Sequence, residues 1–238
     1  MTKLKNVTKY FLIVLALLIS CSAVVLATKT YRASTKAQAI AQKATDDKDY
    51  LLFKAKRYAR ANILFYQGAL VEEESYAIMA QDLSDSGYNV YLLKTPFNLP
   101  VLSRQKALKL IQEKHLKHVY LSGHSLGGVI ASSNAKVAKN IDGLILLASY
   151  PQSKDDLSQK NLAVLSITTS KDKILNWKHY DRAKKRLPKK TDYKNIQGGN
   201  HSGFGSYGLQ AGDDEATITS TAQEKQVVEY IYTFISAN

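Results

Sequence analysis

The sequence predicts an α/β fold, a mostly parallel sheet with helices on both of its faces. Three observations carry this prediction. From residue 50 onward, apolar runs of strand length alternate with segments whose apolar residues recur at helical spacing. The stretch HVYLSGHSLGG (118–128) passes from a short apolar strand directly into the helical segment LGGVIASSNAKVAK (126–139). A turn of that kind exposes one side chain beyond the sheet edge. With 238 residues, 45% of them hydrophobic and 22% charged, the chain can bury one substantial core.

In chain order, residues 1–10 are polar and basic, and Phe11 to Ala27 carry no charge. That length is the lower limit for a membrane span, and the layout is also that of an export signal. Three fates fit: an uncleaved signal anchor, which we favour, cleavage after Ala27, or lipidation of Cys21 within Leu18-Ile19-Ser20-Cys21. The basic N-terminal tail favours a domain outside the cytoplasm, held at the cell membrane or secreted. The expected organisation is an anchor or signal peptide over 1–28, a polar, alanine-rich stalk over 29–49 and one folded domain over 50–238.

Within the domain, YLLFKAKR (50–57) and ANILFYQGALV (61–71) read as strands. EEESYAIMAQDLSDSGY (72–88) places Tyr76, Met79, Ala80 and Leu83 on one helical face and stops at Gly87. NVYLLKTPF (89–97) is a strand, and SRQKALKLIQEKH (103–115) a helix capped by Ser103. After the strand-to-helix turn come two more strands, IDGLILLASY (141–150) and NLAVLSITTS (161–170). NWKHYDRAKKRL (176–187) is an amphipathic helix, TDYKNI (191–196) a last strand, and TAQEKQVVEYIYTFI (221–235) a closing helix. The connection PQSKDDLSQK (151–160) is polar and too short to fold over the sheet edge, so no cap domain is expected.

The net charge of +13, with a pI near 9.6, suits a lysine-rich surface or attraction to an acidic envelope or membrane. No basic stripe interleaved with aromatics points to nucleic acid. Cys21 is the one cysteine, so residues 28–238 hold no disulfide and no thiolate site. No spacing such as H-E-x-x-H suggests a metal, and no cofactor motif is present.

In folds of this class, the chemistry lies beyond the carboxyl ends of the strands. Gly68, Ser125, Asp172 and His201 each follow a strand and converge there. Ser125 stands at the tip of the turn, with Gly123 and Gly127 giving room for strand and helix to pass closely. A serine needs a base within hydrogen-bond reach. Of five histidines, His115 and His118 precede their strand, His124 leaves the turn in another direction and His179 lies on a helix face. His201, in the loop GGNHSGFG, remains. Asp172 fits as the acid that orients it, and Asp213 and Asp214 are the fallback. The N–H groups of Leu126 and Ala69, with Leu70 as a substitute for the latter, fit an oxyanion hole.

The motifs FYQGALV (65–71), GHSLGG (123–128), GLILLASYP (143–151) and GGNHSGFGSYG (198–208) resemble those of small, capless bacterial members of the α/β-hydrolase superfamily. The resemblance covers roughly residues 50–236 and implies the same triad, Ser125, Asp172 and His201. Gln67 departs from it, since many members have histidine before the glycine. The activity it implies is hydrolysis of carboxylic esters through an acyl-enzyme. Amide cleavage, acyl transfer, or a non-catalytic envelope protein on the same fold are the alternatives. The expected partners are a small or envelope-borne ester and, through residues 11–27, a membrane.

Overall fold

A computed structural model describes residues 28–238. The chain divides into two units, residues 1–30 and 31–238, and the second holds the sheet and its helices. The anchor expected over residues 11–27 lies outside the described residues. No helix among those described is long and apolar enough to cross a membrane.

Eight strands form one sheet: β1 (Thr45–Asp46), β2 (Tyr50–Phe53), β3 (Ala61–Tyr66), β4 (Tyr88–Leu93), β5 (Val119–His124), β6 (Gly143–Leu147), β7 (Ala163–Thr169) and β8 (Asp192–Ile196). Their order is β1-β2-β4-β3-β5-β6-β7-β8. β1–β2 and β2–β4 pair antiparallel, and every other pair is parallel. The helices are α1 (Thr35–Ala41), α2 (Ala77–Asp85), α3 (Lys106–Glu113), α4 (Leu126–Val137), α5 (Trp177–Ala183) and α6 (Ser220–Ala237).

Alternation along β3 shows how the sheet is covered. Ile63 and Phe65 join a core with residues of α1, α2 and α6. Leu64 and Tyr66 point the other way, into a core with residues of α3 and α4. Because successive strand residues face opposite sides, an uninterrupted apolar strand needs such a layer on each face. Among the described residues, no separate cap covers the strand ends. The segment between β6 and β7 holds no helix or strand and is tied down by Leu157 N–H donating to the Arg186 carbonyl at 2.8 Å.

Two sequence expectations need correction. The stretch expected as a stalk over 29–49 belongs to the domain from Tyr31 onward. Ala33 and Ala37 are buried against Ile78, and Thr45–Asp46 add an edge strand. Ser103 does not cap a helix. It ends a 3-10 turn (Pro100–Ser103), and its carbonyl accepts the Tyr66 hydroxyl at 3.4 Å.

Glu224, on the buried face of α6, accepts a hydrogen bond from the Ser206 hydroxyl at 3.0 Å through Oε1, while Oε2 has no partner. Burial raises its pKa from the usual 4.5 to about 7. The folded state therefore holds a proton that the unfolded chain releases, and stability falls as pH rises from about 4.5 to 7. Glu224→Gln should remove that dependence. In urea titrations, its advantage over the wild type should grow across this window to on the order of 2–3 kcal/mol and then level off. A constant difference at all pH values would contradict the assignment.

Candidate active site

The strand order reverses between β3 and β5. The chain runs from β3 outward to β4, returns to β5, and then proceeds outward through β6, β7 and β8. Such a switch point opens a crevice beyond the carboxyl ends of the two central strands. Ser125 follows β5 and the Gly68–Leu70 loop follows β3, so the crevice lies between them.

Ser125 has φ 51° and ψ −121°, a strained conformation for a non-glycine residue. It is held by its own N–H donating to the Leu147 carbonyl at 2.9 Å and by the Ser149 hydroxyl donating to its carbonyl at 2.7 Å. A Cβ on Gly127 would sit 2.2 Å from the Tyr66 carbonyl oxygen, and one on Gly123 would lie 2.4 Å from the Gly127 carbonyl carbon. Helix α4 therefore rests backbone against backbone on the central strands. Strain gathers around this point. Of the seven non-glycine residues with positive φ among the described residues, Leu70, Phe97, Asn98, Ser125 and Ala148 all lie just beyond carboxyl strand ends.

The Ser125 side chain makes no capping bond to α4 and is partly exposed. Asp172 and His201 are brought together in burial. His201 Nδ1 lies 2.8 Å from Asp172 Oδ2, and the two side chains are 1% and 0% exposed. Asp172 Oδ1 accepts the N–H groups of Ile174 (2.9 Å) and Leu175 (2.7 Å). The carboxylate thus satisfies its local turn with one oxygen and the imidazole with the other. With the His201 proton on Nδ1, its Nε2 is a bare lone pair, and it has no hydrogen-bond partner.

Asp213, the fallback acid, does not reach the imidazole. Its Oδ2 accepts the Ser202 N–H at 2.8 Å and the Ser202 hydroxyl at 2.6 Å, pinning the loop that carries His201. The fully buried Gln223 clamps the other side, accepting the Asn200 N–H at 3.0 Å and donating to the Asn200 carbonyl at 2.9 Å. Of the remaining histidines, His118 lies 3.4 Å from Asp142 at the opposite strand ends, and His115 and His179 are exposed.

The N–H groups of the loop after β3 differ in whether they already have an acceptor. Gly68 N–H donates to the Tyr76 hydroxyl at 3.0 Å, and Leu70 N–H to the Asn98 carbonyl at 2.8 Å. The Ala69 N–H between them has no acceptor among the described residues. Leu126 N–H opens α4, where the first-turn N–H groups have no intrahelical acceptor. Gln67 turns away from this crevice to donate to the Thr95 hydroxyl at 2.7 Å.

The role of His124 was not legible in the sequence. Its Nδ1 lies 2.9 Å from the Tyr76 hydroxyl, and its ring packs 4.5 Å from that of His201. The Tyr76 oxygen accepts the Gly68 N–H and shares a second hydrogen bond with His124 Nδ1, whose direction the His124 tautomer sets. Burial first, and then the His201 ring, holds the His124 pKa well below 6.5, against a smaller opposing effect of the His201 backbone. A neutral His124 thus links the Gly68 loop, the nucleophile turn and the His201 ring. The partner that completes the link, Tyr76, is 48 residues away.

Fold and site together define an α/β protein with a strand-to-helix serine turn and a buried His–Asp pair. The chain matches the alpha/beta hydrolase family over residues 62–225, and it belongs to that family. A comparison with curated proteins found no match. Among solved structures, a monoacylglycerol lipase from Paleococcus ferrophilus is 14% identical with a TM-score of 0.59, covering 78% of this chain and 99% of that one. A ferulic acid esterase from Streptomyces cinnamoneus is 17% identical with a TM-score of 0.63, over 77% of this chain and 68% of that one. Mouse alpha/beta hydrolase domain-containing protein 10 is 14% identical with a TM-score of 0.58, over 81% and 97%. At these identities the likeness is one of fold.

Proposed function

We propose that this protein is a serine hydrolase that cleaves carboxylic esters through an acyl-enzyme. The observation that carries the reading is the buried 2.8 Å pair of His201 and Asp172, packed beside the nucleophile turn with Nε2 unpaired. Ser125 Oγ attacks the ester carbonyl while His201 Nε2 takes its proton. Asp172 stabilises the imidazolium that forms. The N–H groups of Ala69 and Leu126 receive the negative charge on the tetrahedral oxygen. His201 then returns the proton to the leaving alcohol. Water, activated by the same imidazole, releases the acid from Ser125.

The absence of a cap favours short acyl groups, or ester groups displayed on a larger molecule, over long free chains that need wrapping. A series of p-nitrophenyl esters tests both points. Turnover should be highest at short acyl lengths and should not jump when the substrate forms micelles. No turnover of any member, or an optimum at long chains with activation on aggregation, would count against this reading.

A further inference from the structure

The chain enters the domain at its active edge. Tyr31 forms a parallel bridge with Val71, its N–H donating to the Leu70 carbonyl at 2.7 Å and its carbonyl accepting the Glu72 N–H at 3.1 Å. It is therefore laid directly on the loop that presents Ala69. On its other side, the Tyr31 hydroxyl accepts the Ala211 N–H at 3.1 Å, and Ser34 N–H donates to the Ser206 carbonyl at 2.7 Å. Residues 31–34 thus strap the Gly68–Leu70 loop to the segment that follows His201.

Only three residues, 28–30, separate Ala27, the end of the uncharged run, from Tyr31. Whatever conformation they take, the four steps from residue 27 to residue 31 span at most about 14 Å. If Phe11–Ala27 sits in a bilayer, the active edge cannot be far from its surface. A second observation points the same way. Phe97, Leu102, Trp177 and Leu209 are 56%, 55%, 38% and 52% exposed, and all belong to loops or helix starts beyond carboxyl strand ends. Phe97 sits next to Asn98, whose carbonyl holds Leu70, and Leu209 lies between the Ser206 and Ala211 contacts of the strap. Most of the other exposed large hydrophobics are tyrosines, on other parts of the surface. Exposed apolar side chains ringing one edge mark a surface that is covered in use. The net charge of +13 favours an anionic lipid surface.

We propose that the active edge of this domain lies against an anionic lipid bilayer, with Phe97, Leu102, Trp177 and Leu209 at the interface. The substrates are then ester groups displayed at the bilayer surface, where the open site meets them without a cap. The substrate part rests on the hydrolase reading above, whereas the orientation does not.

Trp177 is the sole tryptophan, and its indole N–H donates to the Asp172 carbonyl at 2.9 Å, so it reports on this edge. The full chain would be reconstituted in anionic vesicles containing brominated phosphatidylcholine, which quenches tryptophan on contact. Trp177 emission should fall by more than half relative to unbrominated vesicles. Tyr58→Trp in a Trp177→Phe background places the probe on a fully exposed turn before β3, at the opposite strand ends, and should keep its emission. Failure to sediment with vesicles, an unquenched Trp177, or equal quenching at both positions would overturn the proposal. Fluorophosphonate labelling of Ser125 in the same samples reports on the hydrolase reading separately, so the two can fail independently.

Discussion

Ser125→Ala is expected to lower kcat by on the order of 10⁶-fold and to abolish labelling by a fluorophosphonate probe, with the fold unchanged. The size of the loss follows from the chemistry, because without Oγ no acyl-enzyme forms. What remains is the modest help of the oxyanion donors to direct attack by water. The fold should tolerate the change because it holds residue 125 by its backbone. The bonds to Leu147 and Ser149 involve the Ser125 N–H and carbonyl, and the side chain caps nothing. Alanine meets the same positive φ with a side chain no larger than that of serine. Labelling that persists in this variant would place the nucleophile elsewhere.

Asp172→Asn is expected to lower kcat by roughly 10⁴-fold with little effect on KM. The geometry explains why so conservative a change costs so much. Two backbone N–H groups, from Ile174 and Leu175, converge on Oδ1, so the amide oxygen of asparagine must occupy that position. Its NH₂ then faces His201 Nδ1, which has to become an acceptor. The imidazole proton moves to Nε2, where it blocks proton transfer from Ser125. Asp213→Asn is the control. It weakens bonds to Ser202 and Lys173 that position the loop, at a cost of about 1 kcal/mol each. It leaves the tautomer intact, so its rate loss should stay within about tenfold. Reversed outcomes for the two variants would reassign the acid.

The residues of this proposed machinery were legible because each sits in a local pattern. Ser125 has its glycines two residues to either side, Asp172 follows an apolar strand within a few residues, and His201 lies in a glycine-rich loop. The supports were not legible, because they depend on pairs distant in sequence that only the assembled sheet brings together. Tyr76 looked like one apolar residue on a helix face, yet its hydroxyl holds Gly68 and His124. Gln223 is a polar residue with no local signal of burial, yet it is buried against Asn200. The start of the domain was missed for a related reason. Ala33 and Ala37 are small, and a short alanine-rich helix among lysines and glutamines shows no broad apolar stripe, although it packs on Ile78.

The hydrogen bond between Ala211 and the Tyr31 hydroxyl joins residues 180 positions apart. During synthesis, Tyr31 emerges long before its partner exists, and the entropy of closing so long a loop is recovered only when the intervening layers have packed. The loop presenting Ala69 therefore gains its full restraint near the end of folding. On the proposed mechanism, the maturing chain would carry Ser125 well before the loop that presents Ala69 is fixed, and competence for catalysis would arrive together with completion of the fold.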